Sequence, residues 1–186
     1  MPFHLPHLDA RTRSLMHREV QHDLLHGNLY LSPRLSDLGR MGYVPALLDA
    51  AARGDTETFA AAIARNGFLN TTEVSHRRGR PYVKAVPHDA HLTLAEGEYH
   101  RFYLRAVCVR AGEDGIEHLE ICRAKVVHTP RWESEARIGK QVRVSALLTD
   151  LRASVGVETA LGIPNGPNSG LSARVPANSN VAAPRR

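Results

Sequence analysis

Two histidines, His22 and His26, lie four residues apart in a segment whose apolar residues recur at helical spacing. This spacing places both imidazoles on one face of a helix, as in helices that present two ligands to zinc. Asp23 follows the first histidine, but no third ligand comes at a recognisable spacing, and the histidines between positions 88 and 100 form only a looser group. We therefore expect no cofactor. A metal-dependent enzyme is the third of three candidate functions for this chain, and His22 and His26 would be its metal ligands.

Other catalytic signatures are absent from the sequence. It contains no G-x-S-x-G elbow, no G-x-x-x-x-G-K-[ST] phosphate loop and no G-x-G-x-x-G turn opening a helix. Glu120 and Lys125 share a predicted strand, as do the acidic and basic residues of some metal-dependent nucleases, but five positions place them on opposite faces. The sequence therefore predicts a non-enzymatic protein.

A basic hairpin is the most distinctive local pattern. Residues 68–75 and 81–86 are predicted strands, and the residues between them are His-Arg-Arg-Gly-Arg. The hairpin follows a pair of predicted helices and resembles the wing of winged-helix DNA-binding domains. That resemblance implies phosphate contacts from Arg77, Arg78, Arg80 and Lys84. The preceding helix, residues 56–66, is mostly alanine where a recognition helix presents base-reading side chains.

The elements that must position these residues centre on a helix over residues 97–112 and a strand over 116–127. One face of this helix carries Tyr99, Phe102 and Val107. The rest of the helix surface is predicted to be polar, and it carries Arg101 and Arg105. Further helices are predicted over residues 9–26, 44–53, 56–66 and around 144–155, with residues 87–95 as a connector. The pattern predicts an α+β fold: a small mixed or antiparallel sheet with the basic hairpin, packed by the central helix and flanking helices.

The amino-acid composition limits the kinds of partner that the protein is expected to bind. The chain has 186 residues and a net charge of +5, and its basic residues are 21 arginines and three lysines. Arginine makes forked contacts with phosphate and carboxylate, which suits nucleic acid or acidic partners, although a GC-rich gene would give the same bias. No apolar run reaches the roughly 20 residues of a membrane span, and the N-terminus lacks the apolar core of a signal peptide. We expect a location in the cytoplasm or in a particle assembled there, without membrane contact.

Three segments are predicted along the chain. Residues 1–8 form an irregular arm, and residues 9–161 form one domain with a helical part (9–67), a hairpin–helix–strand core (68–127) and a C-terminal helical region (128–161). Residues 162–186 contain proline, glycine and asparagine but no acidic residue, and are predicted to be an extended arm that takes its shape from another subunit. The predicted partner contacts are Trp132, Arg174, Arg185 and Arg186.

Arms, basic charge and missing catalytic motifs together favour a structural or adaptor subunit of a larger assembly. A phage-like capsid or a head–tail connector particle would use all three features. The expected partners are other protein subunits, bound through the C-terminal arm in an oligomer or a hetero-assembly. The alternative is a winged-helix-like protein that binds DNA through the basic hairpin of residues 76–84.

Overall fold

A computed structural model describes residues 3–164 and 170–177. Its first three helices are α1 (Ala10–His26), α2 (Asp37–Arg53) and α3 (Thr56–Arg65). Asp9 caps α1 by accepting a hydrogen bond from the Thr12 amide, and Asp55 forms a reciprocal capping box with Thr58 at the start of α3. The capped starts of α1 and α3 agree with the helices predicted from residues 9 and 56. The α2 helix begins seven residues before the predicted position 44, because Ser36 caps it by accepting from the Gly39 amide.

The basic hairpin forms as predicted, slightly shifted along the chain. Strands β1 (Thr72–Arg77) and β2 (Arg80–Ala85) pair antiparallel as a separate two-stranded sheet. At its base, an isolated antiparallel bridge joins Leu35 to Leu69. Phe68 fits against α2 at Gly42, where an added Cβ would lie 2.3 Å from the Phe68 ring. The hairpin is thus anchored at its base.

The central helix α4 (Ala90–Glu113) is longer than predicted and begins where a connector was expected. The predicted start at residue 97, where Glu96 and Glu98 suited a helix N-terminus, lies inside α4. It packs against α1, α3 and α6 and touches β3 and β5. Tyr99, Phe102 and Val107 are fully buried, as expected for the core.

A second antiparallel sheet of three strands has the order β4–β3–β5, formed by β3 (His118–Arg123), β4 (Gln141–Arg143) and β5 (Leu171–Arg174). A single helical turn, α5 (Trp132–Glu135), lies between β3 and β4, and α6 (Val144–Ala153) follows β4. The α6 residues Val144, Leu147 and Leu151 are buried, as their spacing predicted. Within the described residues, no helix is both long and apolar enough to cross a bilayer.

Both terminal segments lie on the body of their own chain where they are described. Strand β5 pairs with β3, and its residues Leu171 and Ala173 belong to the core. The His4 amide donates to the Ala124 carbonyl, and the Val175 amide donates to Nε2 of His7. The prediction that the C-terminal segment needs another subunit's surface is therefore wrong for residues 170–177, because alternate residues of β5 are apolar enough to cover the sheet.

The fold is α+β, as predicted. The described residues form six helices and two small antiparallel sheets.

Candidate functional site

The hairpin presents two different faces to solvent. The register places Glu73 opposite Lys84, Ser75 opposite Tyr82 and Arg77 opposite Arg80 on one face, and Val74 opposite Val83 on the other. Val74 and Val83 are 66% and 68% exposed. A two-stranded ribbon exposed in this way is marginally stable by itself. Core packing therefore does not account for the apolar pair Val74 and Val83.

The tip of the hairpin concentrates positive charge. Arg77 and Arg80 are direct cross-strand neighbours, an arrangement that destabilises a sheet because like charges repel. Arg78 has a φ of 51° and Gly79 a φ of 77°, the two positive values of a two-residue primed turn. Within the described part of the chain, no carboxylate lies within 4.0 Å of these three arginines. Three guanidinium groups are thus available to an anionic partner.

Lys84, the fourth predicted phosphate contact, is placed differently. Its Nζ lies 3.2 Å from Glu73 Oε1, and Nε of Arg34 donates to Glu73 Oε2 over 2.6 Å. The hydrogen bond from Arg34 lowers the pKa of Glu73, although this carboxyl remains accessible to solvent. Glu73 therefore offsets the charge of Lys84 at the base of the hairpin. Lys84 does not belong to the group of unmatched positive charges at the tip.

The helix before the hairpin offers little for reading bases. Phe59 and Ile63 of α3 are fully buried, while its exposed positions include Glu57, Thr58 and Arg65. Arg65 donates through Nε to the Ala61 carbonyl of the same helix. Arg65 is therefore the one arginine that α3 could direct at a base edge, which is a small surface for identifying base pairs.

The histidine pair forms, but without the surroundings of a metal site. The His22 and His26 rings stack with centroids 4.3 Å apart, and Nδ1 of His26 lies 2.7 Å from the His22 carbonyl oxygen. Asp23, the nearest carboxylate, accepts hydrogen bonds from Arg105 on both of its oxygens. Across residues 3–164 and 170–177, no three histidine, cysteine or carboxylate side chains converge to hold a metal ion.

Two predicted solvent-facing arginines of α4 are instead buried. Arg105 is fully buried and donates to Glu19 and Asp23 on α1 over 2.6–2.8 Å. Nη2 of Arg152 donates to Glu19 Oε1 over 2.6 Å. Burial raises the pKa of Glu19, but hydrogen bonding to Arg152 and the charge of Arg105 outweigh burial and leave that pKa below its ordinary value. The buried charges are thereby paired, as the cost of desolvating them requires.

Arg101, the other buried arginine, is less well satisfied. Its Nη2 lies 3.0 Å from Glu98 Oε2, yet the N–H directions miss this oxygen. Arg101 Nε, Arg101 Nη2 and Glu98 Oε2 therefore lack hydrogen bonds within the described residues, although both side chains are more than 90% buried. Burial, reinforced by the charge of Asp23, raises the pKa of Glu98 to about 7 despite the opposing arginines. Leaving such groups unbonded costs about 1–3 kcal/mol each.

A cavity of about 260 Å³ lies beside this pair. Its walls come from residues 30–34, Leu69, residues 90–101 of α4 and residues 154–164 after α6. The sequence contained one overlooked signal for this region. Glu19 and Asp23 share the buried face of α1 with Met16 and Val20, so that stripe already required cationic partners from another element.

The predicted partner contacts separate into three cases. Trp132 is 75% exposed at the start of α5. Nη2 of Arg174 donates to Glu120 Oε1 of its own chain over 2.7 Å, so its charge is matched within the sheet. Arg185 and Arg186 lie outside the described residues.

The two cysteines are unpaired, and burial raises the pKa of the Cys108 thiol to about 12.

Comparisons with protein-family models, with curated proteins and with solved structures found no significant match to this chain.

Proposed function

We propose that this protein is a non-enzymatic nucleic-acid-binding protein whose hairpin tip contacts the phosphate backbone. The observation that carries this proposal is the group of three unmatched arginines, Arg77, Arg78 and Arg80, at the end of an exposed ribbon. Guanidinium groups bind phosphate oxygens in pairs, and an anion between Arg77 and Arg80 relieves their repulsion.

The binding is expected to be independent of sequence. The exposed surface of α3 offers one arginine, Arg65, whose Nε donates to the Ala61 carbonyl, and the tip offers charge alone. Such binding depends steeply on salt, because each neutralised phosphate releases condensed counterions. The net charge of +5 attracts the same polyanion at longer range.

The test compares R77Q/R78Q/R80Q with the control R18Q/R131Q/R143Q, which removes the same charge from exposed positions elsewhere. Duplex-DNA affinity is measured by fluorescence anisotropy across a salt series. The hairpin variant is expected to reduce the slope of log K against log salt by about 0.9 for each lost phosphate contact. The control should keep the wild-type slope. Equal slopes for both variants, or no binding at low salt, would contradict the proposal.

A second candidate function is a structural or adaptor subunit of an assembly, such as a nucleic-acid-packaging particle. The observation in its favour is Trp132, which is 75% exposed in a connector that also exposes Val126 and Ile138. Large exposed aromatic side chains are frequent anchors of protein interfaces. The described C-terminal residues, in contrast, are occupied by their own sheet.

This candidate is tested with a second copy of the chain as partner. Sedimentation velocity of the wild type is expected to show self-association that weakens at least tenfold in W132A, since an anchor residue contributes about 2 kcal/mol or more. Leu25, which is 84% exposed on α1, provides the control L25A. A monomeric wild type at high concentration would end the case for a self-assembling subunit.

A further inference from the structure

The cavity beside Glu98 has a polar end and an apolar body. Glu98 and Arg101 form one polar part of the wall, and the apolar part includes Leu69, Leu94 and Val157. Further polar side chains, among them Arg34 and Glu158, also line the cavity. Gly97 also lines it, and a Cβ added at Gly97 would meet no atom within 4 Å. The α4 helix therefore leaves space where it would ordinarily carry a side chain. At about 260 Å³, the cavity lies just below the range of drug-sized sites, which begins near 300 Å³.

The unmet hydrogen bonds of the polar end indicate the chemistry of a ligand. The unbonded Nε and Nη2 of Arg101 form one buried edge of the guanidinium, and Nη2 lies 3.0 Å from Glu98 Oε2 and 3.7 Å from Asp23 Oδ2 without a hydrogen bond to either. Such an edge has the geometry that receives two oxygens of a carboxylate. Nη1, on the opposite side, is directed to the Ser154 carbonyl oxygen at 3.4 Å.

Charge counting limits the ligand to a single negative charge. The buried cluster contains three carboxylates and three guanidinium groups, so it is neutral when all six are ionised: Glu19, Asp23, Glu98, Arg101, Arg105 and Arg152. A proton on Glu98 leaves the cluster with one positive charge, which a monoanion neutralises. A dianion would leave one uncompensated negative charge in a buried site.

We propose that this cavity binds a small monocarboxylate, whose two oxygens accept from Nε and Nη2 of Arg101 while a protonated Glu98 donates its O–H to the same carboxylate. The apolar body of the ligand then lies against Leu69, Leu94 and Val157. Binding takes up one proton from solvent, which goes to Glu98, and no covalent bond changes.

The surroundings of Glu98 agree with proton uptake near neutral pH. Arg101 and Arg105 face it from its own helix, Asp23 from α1 and Tyr43 from α2, while Arg34 and Glu158 stand further out on the cavity wall. Its pKa of about 7 arises mainly from burial. The affinity for a monocarboxylate is therefore expected to fall about tenfold from pH 6 to pH 8, as the protonated fraction of Glu98 falls.

The experiment is calorimetric titration of the full chain with benzoate at both pH values, with benzamide and inorganic phosphate as comparison probes. Benzoate is expected to bind at pH 6 and to lose about tenfold in affinity at pH 8, while benzamide and phosphate bind at least tenfold more weakly. The variant Glu98→Gln keeps a neutral donor but cannot titrate. Its benzoate affinity should be the same at both pH values.

A blocking variant tests the location. Gly97→Leu places a side chain in the open space and should abolish benzoate binding, whereas Gly112→Leu, at an exposed position of the same helix, should not. Circular dichroism establishes that both variants fold. The proposal is overturned if folded wild type shows no benzoate heat at pH 6, in which case the cavity holds water alone. It is also overturned if benzamide binds equally well, if Glu98→Gln keeps the pH dependence, or if Gly97→Leu binds benzoate as the wild type does.

Discussion

Arg78 combines an unfavourable backbone conformation with an exposed charge. Its φ of 51° is one that asparagine and glycine adopt easily and arginine does not. Arg78 places a guanidinium at the end of the hairpin in a position where asparagine or glycine would suit the turn better. Such a local cost at a surface position is typical of residues retained for binding.

We expect Arg78→Asn to stabilise the hairpin locally while weakening DNA binding. The gain is up to about 1 kcal/mol, because asparagine tolerates the left-handed conformation. Amide hydrogen exchange in β1 and β2, followed by NMR, should slow by up to about fivefold. Arg78→Gln removes the same charge but keeps the backbone cost, so it separates the two causes. Equal slowing in both variants would assign the effect to charge repulsion instead.

At the scale of elements, α4 shows what the sequence could and could not predict. The apolar face through Tyr99, Phe102 and Val107 was predicted from spacing and is buried. Arg101 and Arg105 were assigned to solvent because periodicity treats every charge as exposed. The burial of Arg105 depends on α1, which supplies Glu19 and Asp23 from more than 80 residues away, and such long-range pairing leaves no periodic signal. Arg101 lies beside Glu98 of its own helix and 3.7 Å from the same Asp23.

The C-terminal strand β5 is a second case, in which the sequence pattern predicted less ordered structure than the chain forms. Composition predicted an arm without a core, since residues 162–186 include four prolines, three glycines and four asparagines. Four residues with an alternating apolar pattern were nevertheless sufficient to form β5 on the free edge of β3. The hairpin, by contrast, was predictable because its strands and turn are adjacent in sequence. The cavity was not, because its walls come from four separate segments.

Truncation tests the role of β5. A chain ending at residue 177 should have the wild-type free energy of unfolding, since β5 and its contacts are retained. A chain ending at residue 162 loses Leu171 and Ala173 from the core and exposes the edge of β3, so it should be destabilised by at least about 2–5 kcal/mol. Urea unfolding followed by circular dichroism measures both. Equal stability of the two truncated chains would show that β5 contributes nothing to the fold.

At the scale of the whole molecule, two buried groups oppose each other in acid. Burial lowers the pKa of His100 from 6.5 to about 3, so its contribution to stability is present above pH 6.5 and is lost as the pH falls toward 3. Burial raises the pKa of Glu98 from 4.5 to about 7, so its contribution is full below pH 4.5 and is lost as the pH rises through 7. Between pH 4.5 and 6.5 the two effects nearly cancel.

These two groups together should therefore change the stability of the unliganded wild type little across this window. Burial also lowers the pKa of His7, which adds a smaller loss of stability as the pH falls. Glu98→Gln removes the group that gains from acid, so its free energy of unfolding should fall by about 1.4 kcal/mol for each pH unit lowered. His100→Asn should show the reverse slope. Urea unfolding at pH 4.5 and 6.5 gives all three values. Parallel pH profiles for the wild type and both variants would show that neither residue is buried in the stated protonation state.

The hydrogen bond from the Val175 amide to Nε2 of His7 has a consequence for folding during biosynthesis. Strand β3 receives its neighbour β5 only after some fifty further residues have been translated, and the first residues of the chain are latched across that same edge. During elongation, a nascent chain therefore exposes the apolar side of β3 until residue 175 has emerged from the ribosome tunnel. A ribosome stalled before that point would hold an open intermediate that recruits chaperones, whereas one stalled well beyond it would carry a closed domain.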